Sequence, residues 1–250
     1  MQFNTRACIN NWKFRSVLLI LLPTFFIACS HHHFVHSKDG LKIAYSEYGQ
    51  GDDLLVFVHG WSCDRSYWDN QIAFFERYYK VVTIDLGGHG ESGTNRSDWS
   101  ISSLGDDLVS VIDLFEYKNL YLVGHSMGSM VILDAASKID AQQIHLFLVD
   151  LLNSKYWPMP EEVFESFIEP FRQDFKAQTE KFVRGMVLES TDEDLVDWIA
   201  RDMSQASPEI AIPLMKDLWL RDFDPALADL NKKGVRMTKN TIMIDRLIDT

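Results

Sequence analysis

The sequence predicts an α/β fold, with a mostly parallel central sheet, helices on both of its faces, and a further group of helices over one end. Three observations carry that prediction. Of four short, largely apolar runs read as strands, Leu54 to Val58, Val81 to Ile84, Leu120 to Val123 and Ile144 to Val149, the first is apolar on both faces, as a central parallel strand covered on both sides must be. Segments of helical period lie between them: Trp68, Ile72, Phe75 and Tyr79 within Asp64 to Tyr79, and Leu104, Leu108, Val111, Ile112 and Phe115 further on. Beyond Asn153 the period stays helical through Trp219, punctuated by prolines.

At 250 residues the chain suffices for one large domain with an insertion. Its net charge of -12 argues against nucleic acid or an anionic membrane surface as partner. Residues 1–29 read as an export segment. Arg6, Lys13 and Arg15 make a positive start, Ser16 to Ala28 an apolar stretch, and Phe26-Ile27-Ala28-Cys29 stands where cleavage is expected. The stretch is shorter than the ~20 residues that span a bilayer. Its last four residues resemble a bacterial lipobox, which implies lipidation of Cys29 and a protein tethered to the cell envelope, at the outer membrane in a Gram-negative host. A plain signal peptide or an uncleaved anchor is the alternative, the former with a periplasmic or secreted product.

With Cys8 in the leader and Cys29 lipidated, only Cys63 is left in the domain and no intramolecular disulfide is expected. His31, His32, His33 and His36 read as a solvated tether over residues 30–36, and no metal is assigned to them. Phe34 to Tyr48 predicts a hairpin around the turn pair Asp39-Gly40. The remaining divisions are 37–153 for the first part of the core, 154–220 for the helical cap and 221–250 for an incomplete return to the core. Within the cap, Trp157, Phe164, Phe167, Phe171, Met186 and Trp198 are candidates for an apolar pocket.

Chemistry enters at Tyr121 to Gly128, Tyr-Leu-Val-Gly-His-Ser-Met-Gly: an apolar run, Gly-x-Ser-x-Gly, then a helical segment. A strand turning sharply into a helix strains the backbone at Ser126, so the positions two before and two after must be tiny. Gly124 and Gly128 are. The serine hydroxyl then stands at the sheet's carboxyl edge, beside helix N–H groups that favour a developing negative charge.

Together with Leu54 to Gly60, Leu-Leu-Val-Phe-Val-His-Gly, and Val81 to Ser92, Val-Val-Thr-Ile-Asp-Leu-Gly-Gly-His-Gly-Glu-Ser, this stretch resembles the α/β-hydrolase superfamily, specifically its capped lipase- and esterase-like members. The resemblance implies Ser126 as nucleophile and the Trp61 and Met127 N–H groups as the oxyanion hole, with His89 structural. The implied activity is hydrolysis of a small-molecule carboxylic ester or related acyl bond through an acyl-serine intermediate. It implies no cofactor, and the sequence carries no reading of oligomeric state. Cofactor-free haloperoxidases and C–C bond hydrolases of the superfamily also keep the serine.

The resemblance implies the order Ser, acid, His. Thr241 to Ile244 can be a seventh strand leading to Asp245, the favoured acid, with Asp249 and Asp150 as alternatives. No base follows: all eight histidines lie at or before His145. The chain therefore reads as truncated before the catalytic histidine, with the last strand and helix of the fold missing and turnover impaired, the alternative being a short, non-catalytic, membrane-tethered binding protein.

Overall fold

The computed structural model describes residues 31–140, 143–150 and 158–240. Seven strands form one sheet: β1 His31–His36, β2 Lys42–Tyr48, β3 Asp53–Val58, β4 Lys80–Ile84, β5 Asn119–His125, β6 Ile144–Val149 and β7 Arg236–Asn240. Their spatial order is β1-β2-β4-β3-β5-β6-β7. β1, β2 and β4 pair antiparallel in succession, and β4, β3, β5, β6 and β7 run parallel. Parallel neighbours need a crossover, and the amphipathic segments provide it: α1 Asp69–Phe75, α2 Ile101–Ile112 and α3 Met127–Lys138.

Local chemistry sets the ends of these helices. Ser100 and Ser103 exchange side-chain-to-backbone hydrogen bonds at the start of α2, a capping box built from two serines. Asp64 caps a 3₁₀ turn, Arg65–Trp68, so the segment predicted as one helix to Tyr79 is this turn followed by a short α1. One sheet face, with Val56, Val58, Ile84, Leu122 and Leu148, is buried beneath α2, α3 and the cap. The other carries a smaller cluster of Leu55, Phe57, Val81 and Ile72 under α1.

The cap comprises α4 Glu161–Gln173, α5 Phe175–Met186, α6 Glu193–Met203 and α7 Pro208–Leu220. Pro170 and Pro213 lie inside α4 and α7 rather than between helices. α7 seats on α2, where Ile101 N donates to Asp217 Oδ2 at 2.7 Å; α4 packs on α7, α5 on α4 and α6 on α5. After the cap, α8 Asp224–Lys232 packs on α3 and leads into β7.

Two readings are corrected. Residues 31–36 are an edge strand, not a tether, in register from His31 opposite Glu47 to His36 opposite Lys42. Strand pairing satisfies backbone groups whatever the side chains, and His33 stacks on Tyr45 at 5.3 Å. Likewise a seventh strand stands at Arg236–Asn240, before the predicted Thr241 to Ile244, and its outer edge has no sheet neighbour among the described residues and so tolerates Arg236 and Lys239. Thr241 to Ile244, Asp245 and Asp249 lie outside the described residues, as do Trp157 and the leader with Cys29. Among the described residues no helix is long and apolar enough to cross a membrane.

Candidate active site

β5 ends at His125, and α3 begins at Met127. Ser126 makes the turn between them with φ 50° and ψ -118°, a left-handed backbone costing a serine about 1–3 kcal/mol. The flanking glycines are obligatory for packing. A Cβ on Gly124 would stand 2.3 Å from Gly128 O, and one on Gly128 would stand 2.5 Å from both Val58 O and His59 O. Ser126 N donates to Val149 O at 2.9 Å, and Ser129 Oγ donates to Gly124 O at 2.7 Å, so the turn is held from both sides. Met127, as the first helical residue, has no intrahelical acceptor for its N–H.

The register of β5 and β6 pairs His125 with Val149, which sets Ser126 and Asp150 side by side at the carboxyl edge. Asp150 also has a positive φ of 54°, and its Oδ1 is buried without a hydrogen bond. The ring of His125 lies against Gly60, where a Cβ would meet its Nδ1 at 3.0 Å. Burial lowers the pKa of His125, and the nearby Asp150 opposes that shift.

The two motif histidines are fixed as neutral pegs. His59 Nδ1 contacts Gly60 O at 2.8 Å and its Nε2 accepts from Leu86 N at 3.0 Å. His89 Nδ1 contacts Gly87 O at 3.0 Å while its Nε2 accepts from Ser62 N at 3.3 Å. Both rings thus donate from Nδ1 and accept at Nε2. Burial lowers their pKa values to about 4 and about 3. Asp85 organises the adjoining loop, accepting from Arg65 N and Glu91 N and pairing with the Arg65 side chain; burial still pushes its pKa up.

Trp61 follows Gly60 and joins core to cap. Its indole Nε1 donates to Ala211 O at 2.7 Å, and its ring meets Phe171, Phe175 and Phe182. Ser126, His125 and Asp150 open into a cavity of about 280 Å³ whose remaining walls are overwhelmingly apolar, with Trp61, Val183, Met186, Met203 and Leu218 among them. Two larger clefts, of about 450 and 410 Å³, are open and polar, and the ion pairs of Arg96 and Arg65 fill their floors. Size alone would favour them, but neither touches Ser126.

Of the residues anticipated for an apolar pocket, Met186 lines the cavity. Phe164 and Phe171 are buried inside the cap, Phe167 packs against the rings of Phe171, Phe182 and Trp219, and Trp198 is on its exposed side. Tyr67, Met203 and Met215 line the cavity and were not anticipated; the partner of Tyr67 is 135 positions away, and no local pattern signals it. Cys63 is a buried free thiol on the same wall, its pKa raised by burial. Among the described residues no group of three or more His, Cys, Asp or Glu side chains is placed to hold a metal ion.

Residues 55–242 match the model of the alpha/beta hydrolase family. The chain belongs to that family. It is 32% identical over 96 residues to the non-heme chloroperoxidase of Streptomyces lividans, covering 38% of this chain and 35% of that protein. To 3-oxoadipate enol-lactonase 2 of Acinetobacter baylyi it is 26% identical over 196 residues, 70% of this chain and 68% of that one. The match thus spans about a third of the chloroperoxidase's length. Among solved structures, an esterase from Exiguobacterium antarcticum superposes with a TM-score of 0.72 at 22% identity, over 84% of this chain and 80% of that one. A bromoperoxidase from Bacillus anthracis gives the same score and coverage at 19% identity. At such identities the likeness establishes the shared fold.

Proposed function

We propose that this hydrolase-family chain cleaves carboxylic esters or related acyl bonds through an acyl-serine intermediate on Ser126. The observation that carries the proposal is the strained turn at Ser126, kept at the mouth of helix α3 and opening into an apolar cavity. Ser126 Oγ attacks the carbonyl carbon and the carbonyl oxygen becomes an oxyanion. The Trp61 and Met127 N–H groups receive that charge, in a water-poor site where fixed donors are most effective. Collapse expels the alcohol, and water then releases the acid and restores the serine. The apolar walls suit a small acyl or ring group. The names of the relatives, an esterase and an enol-lactonase among them, support acyl chemistry.

A serine hydroxyl needs a base and an acid behind it. Asp245 is the proposed acid on chain order. Asp150 is the alternative, supported by its place beside Ser126 and its buried, unbonded Oδ1. For the base, His59 and His89 have both ring nitrogens engaged, and His145 stacks on Tyr121 at the amino end of β6. His125 is the one imidazole lining the cavity among the described residues. The 250-residue chain is accordingly expected to turn over several orders of magnitude more slowly than a complete triad would.

The test is hydrolysis of short p-nitrophenyl esters beside a Ser126→Ala control. A residual rate that disappears in the variant supports the proposal, and equal rates remove Ser126 from the chemistry. A second reading is a non-catalytic binding protein on the same cavity, tethered through Cys29. Labelling by an organophosphonate separates the two, since an unactivated serine stays silent.

A further inference from the structure

The cap is a chain of helices, each resting on the one before, with α6 last: α7 on α2, α4 on α7, α5 on α4 and α6 on α5. α5 is also wedged against the core, its Phe175 and Phe182 lying on the ring of Trp61, which the Ala211 carbonyl holds in place. α6 meets the core differently. Tyr67, from the turn after β3, donates its hydroxyl to Asp202 Oδ2 at 2.7 Å and lays its ring on Trp198 at 4.7 Å. That hydrogen bond ties α6 to the core. α6 and its last turn supply Ile199 and Met203 to the cavity, and Tyr67 lines it as well.

We propose that Tyr67 is a specificity-determining positioning residue, which fixes α6 as the side wall of the Ser126 cavity and so limits the length of acyl group admitted. The inference rests on the reading of that cavity as the acyl site. With the Tyr67–Asp202 bond closed, the space beside Ser126 is about 280 Å³ and suits a short chain. With the bond open, α6 loses this polar tie to the core, and Ile199 and Met203 gain freedom to shift and admit a longer chain. Trp198 is 41% exposed, so the ring contact lies at the rim, whereas Ala200 and Met203 on the inner side of α6 are buried.

The experiment uses the 250-residue chain and Tyr67→Phe, which keeps the ring contact and removes only the hydroxyl. Amide hydrogen exchange across residues 193–203 should quicken about five- to tenfold, the change that one ordinary hydrogen bond supports, while residues 208–220 of α7 exchange as before. Asp202→Asn still offers Tyr67 an acceptor oxygen and should leave α6 slow. By calorimetry, Tyr67→Phe should tighten dodecanoate about fivefold or more and leave butanoate unchanged. Unchanged exchange in α6, or an equal rise in α6 and α7, overturns the proposal, as does faster exchange with no gain for dodecanoate. If α6 responds as expected and Ser126 stays silent to the organophosphonate, the hydrolase reading fails while the wall assignment stands.

Discussion

The floor of the Ser126 cavity is built from strand ends whose groups have no room to move, whereas its roof is built from helices that touch through rings and exposed ion pairs. On the floor, Gly124 and Gly128 approach backbone carbonyls within the radius of a methyl group, and His59 and His89 each engage two backbone partners. On the roof, Arg184 pairs with Asp197 and Lys216 with Glu161, all at exposed positions where such pairs contribute ~0–1 kcal/mol. Attack on a carbonyl requires donors and nucleophile fixed to fractions of an ångström, and the over-determined floor provides that. Selection among acyl groups requires only a wall of the right size, which a lightly tied helix can give.

The sharpest way to break this contrast is a single methyl group on the floor. Gly128→Ala brings a Cβ to 2.5 Å from Val58 O and His59 O, where strand backbone lies on one side and helix backbone on the other. Neither can yield without disrupting β3 or α3. The variant should lose about 3 kcal/mol or more, or fail to fold, as read by urea denaturation. A loss under 1 kcal/mol would mean that the floor is as compliant as the roof.

A second test is by titration. His59 and His89 fall from an ordinary 6.5 to about 4 and about 3 in the folded chain because burial disfavours the imidazolium. Their pKa values are lowered on folding, so the unfolded chain binds more protons as pH falls below 6.5. Stability is therefore full above that pH and is lost between 6.5 and about 4, by about 1.4 kcal/mol per pH unit for each histidine at most. Denaturation at pH 7, 6 and 5 measures the slope, and His89→Gln should remove about half of what the two contribute. An unchanged slope in that variant would refute the neutral-peg account of His89.

The same contrast explains what could be read from the chain alone. β6 was predicted at Ile144 to Val149 because its run is largely apolar, although His145, Phe147 and Val149 alternate onto the less buried face. β7 was missed, and β1 was reached only from Phe34 onward through the predicted hairpin, because edge strands need only their backbones and His31 to His33 and Arg236 to Asn240 carry no alternating code. The turn at Ser126 was legible because its strain demands glycine at fixed offsets. Asp150 beside Ser126 follows only from the pairing of β5 with β6, and Tyr67 with Asp202 only from the path of the cap. Both are long-range facts, for which residue type at one position holds no signal.

The smallest effect tests the roof with the substitution that should ruin the floor. Gly185 lies near the end of α5, with φ outside the left-handed region and nothing within 4 Å of where its Cβ would be. Alanine there loses less backbone entropy on folding than glycine and meets no neighbour. Gly185→Ala should therefore stabilise the chain by about 0.5–1 kcal/mol in the same urea titration. The sign matters more than the size. One methyl group that destabilises at Gly128 and stabilises at Gly185, in the same chain and by the same assay, separates a floor fixed by backbone contact from a roof limited by its own helical propensity. Destabilisation at both would show that α5 is held as tightly as the elbow, and the wall that Tyr67 fixes would then have no freedom to give.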